Sequence, residues 1–324
     1  MSNMSAIHVD KLSKNWGKTR AVNGISFNVE KEEVFGFLGP NGAGKTTTIK
    51  MLVGLTKPTS GSARVAGYDV ITEPTLVKMR IGVVPESSNL YDELSVYDNL
   101  RFVSKLYHVS PGSREKRIDR LLETFQLKEY RARPFGKLSK GLKRRVVLSA
   151  ALILEPEIVF LDEPTSGLDV LSARNLRQVI SSLSERGVTI FLTTHYIEEA
   201  GELCDRIALI VNGKIIEVEF PDVLRSRIQD VPLLKIRLKS DNGLNLSELD
   251  EVPAEDIQLF SDSVFIYTKD VHKSLTIFTK LAEEKDVTIM DLQTVRPSLE
   301  DVFIQLTGLT PDSMRMEKSA RLVV

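Results

Sequence analysis

The sequence predicts an α/β fold at residues 1–220, followed by a small α+β domain at 221–310. A short apolar run at 34–38 enters a glycine-rich loop, and helical spacing follows that loop. Two more short runs, at 158–161 and 188–193, are rich in β-forming residues, as is typical of strands in a parallel core. These three runs predict a parallel sheet whose strands alternate with helices.

Two subdomains are predicted around this parallel core. Apolar and polar residues alternate at 6–9 and 25–29, which predicts antiparallel strands with one exposed face. The helix after the glycine loop covers 47–55, and apolar spacing at about 90–150 predicts a helical subdomain. The fold class is therefore an α/β core with an antiparallel β subdomain and a helical subdomain.

Strand patterns return near the end of the first domain. Asn212-Gly213 separates apolar runs at 206–211 and 214–218 and predicts a tight hairpin. The pattern then changes to that of a separate α+β domain. Its predicted strands and helix are at 233–238, 264–268, 273–285 and 287–295. Residues 311–324 lack a pattern, and a flexible tail is expected there.

Composition limits the classes of function. The chain has 27% charged residues and a formal net charge of −1, so its charge gives no argument for nucleic acid or an anionic membrane. The one cysteine, Cys204, fits a reducing cytosol and is expected to be a small packed residue. No apolar run reaches the ~18 residues that span a bilayer, and the N-terminus lacks the apolar region of a signal peptide. If the protein works in transport, its membrane part is therefore expected on another chain.

The glycine-rich loop fits the phosphate-binding pattern G-x-x-x-x-G-K-[ST]. Its glycines let backbone N–H groups approach phosphate oxygens, and the following helix presents its positive end to the same anion. Lys45 is expected to place a cation near the β- and γ-phosphates, and Thr46 to offer its hydroxyl to Mg²⁺. The residues predicted to cradle the nucleotide are Gly39, Pro40, Asn41, Gly42, Ala43, Gly44, Lys45, Thr46 and Thr47.

Two carboxylates end the apolar run at 158–161. Asp162 is expected to hold Mg²⁺, directly or through water, and Glu163 to act as the general base for the attacking water. An acidic strand end that caps a helix is the alternative for these two residues alone. With the glycine loop they predict binding and hydrolysis of ATP, and the sequence has no Asn-Lys-x-Asp or Thr-Lys-x-Asp motif for reading guanine.

From about residue 6 to 220, the order of motifs resembles the nucleotide-binding subunit of ABC transporters. Leu138-Ser139-Lys140-Gly141-Leu142 lies where that family has its signature sequence, and Ser166-Gly167-Leu168-Asp169 resembles its D-loop. His195 resembles the family's switch histidine, and Trp16 resembles the aromatic residue that stacks on adenine. Several motifs in a fixed order make the resemblance specific.

The resemblance implies roles for these residues. Trp16 would stack on the purine, His195 would hydrogen-bond the γ-phosphate, and Asp169 would contribute to nucleotide binding through the D-loop. Ser139 and Gly141 would bind the nucleotide held by the opposite subunit, which implies an ATP-dependent homodimer. The alternative for Trp16 is ordinary packing at a strand edge, and the usual role of a lone histidine is structural.

The sequence departs from the family pattern at two places. Lys140 and Leu142 replace a glycine and a glutamine of the signature, which is similar to a multidrug- and daunorubicin-resistance-like export branch with separate membrane subunits. Glu86 stands where the family has a glutamine that touches Mg²⁺ and water. Glu86 is therefore expected to contact Mg²⁺ and nucleotide, either binding the metal more tightly or slowing the reaction as a third carboxylate.

Partners and location also follow from the resemblance. Residues 91–100 resemble the start of the helical subdomain, where a permease docks through a short helix, although Ser95 and Asp98 also suit a helix cap. The segment 296–303 is similar to the end of the export branch, and 221–310 is expected to regulate or to stabilise a dimer. The chain is thus expected in the cytoplasm, at the inner face of the cell membrane, bound to permease subunits.

Two alternatives remain open. A soluble ABC-type ATPase acting on ribosomes or DNA usually has two ATPase units, a long coiled coil or a basic insert, and the sequence has none of these. An ATP-binding regulator with little turnover is kept open by Glu86, although the predicted catalytic residues argue against it. The basic run Lys143-Arg144-Arg145 is expected to be a solvated helix face or to pair with a local carboxylate, so nucleic acid is not expected as a partner.

Overall fold

The computed structural model describes residues 5–229, 231–239, 245–295 and 298–308. Packing divides the chain into two compact units, with the boundary between Glu219 and Phe220. The tail predicted at 311–324 lies outside the described residues, as do the first two residues of the segment 296–303.

Strands and helices alternate through the described residues. The strands are β1 (Ile7–Trp16), β2 (Thr19–Val29), β3 (Val34–Leu38), β4 (Ser60–Val65), β5 (Tyr68–Asp69), β6 (Ile81–Val84), β7 (Ile158–Asp162), β8 (Thr189–Thr194), β9 (Arg206–Val211), β10 (Lys214–Glu219), β11 (Leu233–Leu238), β12 (Asp256–Leu259), β13 (Ser263–Tyr267) and β14 (Ile289–Val295). The helices are α1 (Lys45–Leu52), α2 (Pro74–Lys78), α3 (Val96–Leu106), α4 (Pro111–Thr124), α5 (Lys140–Ala151), α6 (Val170–Ser184), α7 (Ile197–Leu203), α8 (Pro221–Gln229), α9 (Val271–Glu284) and α10 (Leu299–Thr307). Within the described ranges, none of these helices has the length and apolar character needed to cross a membrane.

The first unit contains an antiparallel sheet and a mainly parallel one. The antiparallel sheet has the order β2-β1-β4-β5, and the alternation predicted at 6–9 and 25–29 belongs to two strands that are longer than expected. The second sheet has the order β10-β9-β3-β8-β7-β6, parallel from β9 to β6, with β10 antiparallel at one edge. All residues of β3, β7 and β8 are buried, as their apolar composition predicts.

The register of the parallel strands gathers the predicted site at one edge of the sheet. Leu38 pairs with Thr194, and Asp162 pairs with Thr193. The carboxyl ends of β3, β7 and β8 therefore meet, and the glycine loop, Glu163 and the histidine loop follow them. This edge is where ligands bind in open α/β sheets.

An aromatic cluster joins the two sheets. Phe27 of β2 stacks on Phe35 of β3 with ring centroids 5.4 Å apart, and Phe191 of β8 lies 5.5 Å from both Phe37 and Phe160. These rings belong to one buried cluster that takes apolar residues from both sheets. Burying a ring of this kind stabilises a fold by about 1.5–3 kcal/mol, so the cluster fixes the antiparallel sheet on the parallel core.

Helices α3, α4 and α5 lie at about 90–150, where the sequence predicts a helical subdomain. The Ser95 hydroxyl caps α3 by accepting a hydrogen bond from the Asp98 N–H at 3.0 Å, as the sequence indicated. Helix α5 lies directly on β6. A Cβ built on Gly82 of β6 would be only 2.5 Å from the carbonyl oxygen of Ala151, the last residue of α5. The close approach of this helix to the sheet depends on the missing side chain at position 82.

Cys204 follows α7 and packs against the central strand. Its thiol is buried, and a Cβ built on Gly36 would lie 2.6 Å from its sulfur. Burial raises the pKa of the Cys204 thiol well above its ordinary value. The residue therefore has the packing role that the sequence predicts.

The second unit is an antiparallel sheet with helices. Its strand order is β12-β13-β11-β14, and α9 covers a core that includes Leu234, Ile236 and Phe278. Near the start of α10, the Asp301 carboxylate accepts hydrogen bonds from Ser298 and lies 2.6 Å from the Lys235 ammonium. The ion pair ties α10 to the sheet of its own unit.

We expect Gly82→Ala to lower the free energy of unfolding by about 1–3 kcal/mol, because the added methyl group overlaps a backbone oxygen of α5. Gly112→Ala is the matched control, since a Cβ at this helical position meets nothing within 4 Å, and it should stabilise by about 0.4–1 kcal/mol. Urea unfolding measures both changes. Equal midpoints for Gly82→Ala and wild type would contradict the close packing of α5 on β6.

Candidate active site

One cleft of the first unit collects most of the predicted site residues. Its volume is about 950 Å³, which is within the usual range for small-molecule sites. The predicted residues that line it are Trp16, Asn41, Gly42, Gly44, Lys45, Thr46, Thr47, Glu86, Glu163 and His195. Other lining residues, which the sequence did not assign to nucleotide binding, are Thr19, Arg20, Ala21, Ser166, Tyr196 and Asn212.

The glycine loop has a conformation that needs glycine. Gly42 and Gly44 have φ of +84° and +107°, and a Cβ on Gly44 would lie 2.5 Å from the carbonyl oxygen of Ala21. Helix α1 begins directly after Gly44, so its first N–H groups and its positive end adjoin the loop. The buried loop residues, which support the cleft without lining it, are Gly39, Pro40 and Ala43.

The hairpin between β9 and β10 supports this loop. Asn212 and Gly213 have φ of +49° and +75°, as the predicted tight turn requires. The Gly213 N–H donates a hydrogen bond to the carbonyl oxygen of Ala43 at 3.0 Å. The turn therefore braces the phosphate loop and brings Asn212 to the cleft, which the local turn pattern alone did not predict.

Lys45 reaches back across the glycine loop. Its Nζ donates to the carbonyl oxygens of Gly39 at 2.6 Å and Pro40 at 3.0 Å, and it lies 3.1 Å from Oε1 of Glu163. The side chains of Lys45 and Glu163 are only 5% and 8% exposed. Buried charges need a partner of opposite sign, and this pair supplies a cation beside the predicted phosphate site.

Asp162 has two hydroxyl partners. Its Oδ1 accepts hydrogen bonds from Thr193 Oγ1 at 2.6 Å and from Thr46 Oγ1 at 3.2 Å. Burial raises the pKa of Asp162 above its ordinary value, although the two hydroxyl groups act in the opposite direction. Thr46 and Asp162 thus place two oxygens side by side, and oxygen is the ligand atom that Mg²⁺ prefers.

Glu163 is the most constrained residue of the site. Its φ of +49° is a left-handed conformation that costs a non-glycine residue about 1–3 kcal/mol. Its N–H donates to O and Oγ1 of Thr193, both at 3.1 Å, and its Oε2 is hydrogen-bonded to His195 Nδ1 at 2.8 Å. Burial raises the pKa of Glu163, but His195 and Lys45 outweigh that effect, so the pKa lies below its ordinary value. The carboxylate is therefore ionised at neutral pH.

Arg144 supports the same strand ends and was missed as a site residue. Its buried guanidinium donates hydrogen bonds to the carbonyl oxygens of Pro85, Glu163 and Pro164, at 2.5, 2.7 and 2.8 Å. The solvated face predicted for the basic run is therefore wrong at Arg144. The helix turns this residue inward onto backbone oxygens, which a sequence pattern of charges cannot show.

Trp16 stands at the rim of the cleft. Its side chain is 51% exposed, and the ammonium of Lys14 lies 4.5 Å from the centroid of its ring. A tryptophan packed in the ordinary way would be covered. The open ring instead offers a flat apolar surface to the cleft that it lines.

Glu86 follows β6 by two residues and is exposed at the cleft, where Glu163 also lies. The charge of Glu86 contributes to the raised pKa of Asp162. Two of the three carboxylates predicted to share the site, Glu86 and Glu163, therefore act electrostatically on the third, Asp162.

Ser139, Gly141 and Asp169 do not line the cleft. Ser139 Oγ caps α5 by accepting from the Leu142 N–H at 3.3 Å, and Asp169 caps α6 by accepting from the Ser172 N–H at 2.9 Å. A Cβ on Gly141 would lie 2.7 Å from the Ser172 hydroxyl. These predicted residues therefore form a neighbouring surface of two helix starts, in which Ser139 and Asp169 are exposed.

A divalent cation would depend on few protein ligands here. The described residues contain no group of three or more His, Cys, Asp or Glu side chains arranged to hold a metal. Thr46 and Asp162 fit Mg²⁺, because this ion usually takes one or two protein oxygens and completes its shell with phosphate and water.

The sequence is similar to known proteins over most of its length. A model of the ABC transporter family matches residues 22–166. The chain is 35% identical to the linearmycin resistance ATP-binding protein LnrL of Bacillus subtilis, over 94% of this chain and 99% of that protein. It is 34% identical to the daunorubicin resistance ATP-binding protein DrrA3 of Streptomyces coeruleorubidus, over 98% and 99% of the two chains. It is 37% identical to the Nod factor export ATP-binding protein I of Rhizobium meliloti, over 94% and 88%.

Solved structures show the same architecture. One described as the ATP binding subunit of an ABC transporter has a TM-score of 0.63 and 30% identity, covering 69% of this chain and 93% of the other. The cbiO1 protein of Clostridium perfringens, described as part of the ABC transporter complex cbiONQ, has a TM-score of 0.64 and 28% identity, covering 68% and 91%.

We expect Thr193→Val to lower the free energy of unfolding by about 1.5–3 kcal/mol, because it removes a hydrogen bond to the buried carboxylate of Asp162. Thr48→Val is the matched control. Thr48 is equally buried, but its hydroxyl donates only to the carbonyl oxygen of Gly44, which the Thr48 N–H also contacts. Urea unfolding compares the two, and a larger loss for Thr48→Val would contradict the role of Thr193.

Proposed function

Because this chain belongs to the ABC transporter family, we propose that its cleft binds Mg²⁺-ATP and that Glu163 activates the attacking water. The chain is the ATPase subunit of an export-type ABC transporter, and it drives transport through separate permease subunits. One observation carries the site assignment. The ionised Glu163 lies between the Lys45 ammonium at 3.1 Å and the His195 ring at 2.8 Å, beside the glycine loop.

The phosphates would occupy the glycine loop. Backbone N–H groups at the start of α1 donate to phosphate oxygens, and the Lys45 ammonium exchanges its carbonyl partners for the β- and γ-phosphates. That movement releases Oε1 of Glu163 to accept a proton from water. His195, at the other carboxylate oxygen, keeps the base oriented and is within reach of the same region.

Thr46 and Asp162 would hold the metal, and Glu86, which lines the same cleft as Thr46, would contact it. When bound there, Mg²⁺ would supply positive charge to the phosphates of the nucleotide. The hydroxyl of Thr193 fixes the Asp162 carboxylate in place. Trp16 would stack on the adenine, since its open ring lines the cleft.

A homodimer would complete each site. Ser139, Gly141 and Asp169 lie on an exposed surface away from the cleft, which suits residues that serve the nucleotide of a second subunit. The hydroxyl of Ser139 and the free N–H groups at the start of α5 are phosphate donors. ATP held between two subunits would then close the dimer, and hydrolysis would open it.

A permease would dock on an apolar groove of about 670 Å³ between β6 and the helical subdomain. Leu55, Phe102 and Leu106 line it with 66%, 42% and 61% of their surface exposed. Large apolar side chains exposed together mark protein interfaces. The segment 91–100, which begins at this groove, is the one that resembles the permease-docking region. Docking there would place the chain at the cytoplasmic face of the membrane.

We assign ATP binding to the domain at 1–220, with its helical subdomain at about 90–150, and an accessory role to the domain at 221–310. The break in packing after Glu219 supports the division. The cleft and the apolar groove are both lined by residues of the first domain, which leaves the second domain for regulation or for stabilising the dimer.

We expect Glu163→Gln to lower kcat for Mg²⁺-ATP by at least about 10²-fold and to leave ATP binding intact, because the amide cannot accept a proton from water. The variant should also accumulate as an ATP-dependent dimer. Glu157→Gln, at the opposite end of β7 and half exposed, is the control and should keep full activity. Measurement of phosphate release together with light scattering tests both points. Full turnover in Glu163→Gln would remove it as the base.

We expect Glu86→Gln to change the Mg²⁺ concentration that gives half-maximal ATPase rate, because it removes one of three negative charges around the metal site. A higher requirement indicates that Glu86 binds the metal, whereas a faster kcat at the same requirement indicates that its charge slows the reaction. Glu93→Gln, an exposed residue outside the cleft, is the control. If neither the requirement nor the rate changes, Glu86 takes no part in the mechanism.

A further inference from the structure

We propose that Arg144 is a positioning residue that couples helix α5 to the general base, Glu163, and to Pro85, the residue before Glu86. Its guanidinium donates to Pro85 at 2.5 Å, to Glu163 at 2.7 Å and to Pro164 at 2.8 Å. One side chain thus joins a helix to the ends of two neighbouring strands, β6 and β7. The inference rests on the proposed function, because it assumes that Glu163 is the base.

The contacts are made to the backbone of the functional residues themselves. Glu163 accepts through its own carbonyl oxygen, and Pro85 precedes Glu86 directly. Glu163 has a left-handed backbone conformation. Its N–H donates to Thr193, and its carbonyl oxygen accepts from Arg144 at 2.7 Å and from the Ser166 N–H at 3.2 Å. A disfavoured conformation persists only where neighbouring contacts hold it, so loss of Arg144 removes one of the three residues that hold the Glu163 backbone.

A guanidinium is the group that this position requires. Its three bonds use three different nitrogens, Nε and both terminal ones, spread in one plane. A lysine has a single nitrogen on a flexible chain and cannot reach three separated carbonyl oxygens in this fixed geometry. The guanidinium is buried, and taking a charge out of water is costly for stability.

The helix that carries Arg144 begins inside the signature segment and carries its last three residues, 140–142. Ser139 caps α5, and Arg144 follows five residues later, about 7.5 Å along the helix axis. A shift of α5 when its N-terminus binds a phosphate would therefore move the carbonyl groups that Arg144 holds. Arg144 thus connects the signature segment, at the start of α5, to the backbone of Glu163.

The test compares Arg144→Lys and Arg144→Gln with Arg145→Gln. Arg145 is the next residue of α5 and makes one weak contact, to Gln126 at 3.4 Å, so its substitution removes the same charge from the same helix. Two measurements are made on the full chain. The first is steady-state Mg²⁺-ATP hydrolysis. The second is hydrogen–deuterium exchange without nucleotide, followed in peptides that cover 85–88 and 163–168.

We expect both Arg144 variants to lose kcat by about 10²-fold, as small misplacements of catalytic groups do, with KM for ATP within about twofold of wild type. Exchange in the two peptides should become faster, and Arg145→Gln should match wild type in every measurement. If Arg144→Gln does not fold, Arg144→Lys, which keeps the charge, decides the outcome.

The inference is overturned if Arg144→Lys keeps wild-type kcat, or if exchange at 85–88 and 163–168 stays unchanged. It is also overturned if kcat, KM and the melting temperature all worsen together, since that result indicates a general structural role. A different result is expected if the proposed function itself is wrong. The wild type and Glu163→Gln would then hydrolyse ATP equally, while the exchange measurements alone would still decide whether Arg144 holds the two segments.

Discussion

The rest of the site depends on one buried ion pair, in which the ammonium of Lys45 lies 3.1 Å from the carboxylate of Glu163. Removing one partner of such a pair leaves an uncompensated charge and costs several kcal/mol. The surrounding chain therefore has to hold both side chains in place. Two carbonyl oxygens of the glycine loop accept from Lys45, and Thr193 and His195 fix Glu163. A phosphate that enters the loop competes with these carbonyls for the same ammonium.

The parallel sheet makes this arrangement possible because strands that run in one direction end at one edge. Leu38 and Asp162 lie on β3 and β7, separated by β8, which supplies Thr193 between them. Asp162, Glu163 and His195 are thus brought together by the register of the parallel strands that they end or follow. Two glycines allow other elements to pack closely on this sheet. Gly82 contacts the end of α5, and Gly36 contacts Cys204, the residue after α7.

Local patterns predicted the residues whose chemistry depends on neighbours in sequence. The glycine loop, the run at 34–38 and the Asn212-Gly213 turn were predicted because each is encoded within a few residues. Strand β4 was missed because only Ala63 and Val65 of its six residues are buried, which is too short an alternation to detect. Thr193 and Arg144 were missed for a different reason. Their partners are 31 and up to 59 residues away in sequence, and only the register of β7 and β8 and the packing of α5 bring them together.

The burial of Cys204 also has a practical consequence for chemistry on this protein. It is the only cysteine in the sequence, and its covered thiol stays protonated because burial raises its pKa. Thiolate is the reactive form toward maleimides and disulfides, so we expect the buried thiol of the native chain to react only slowly with these reagents. Spectroscopic labels can therefore be attached at newly introduced surface cysteines without first removing the natural one, and its contact with Gly36 stays intact.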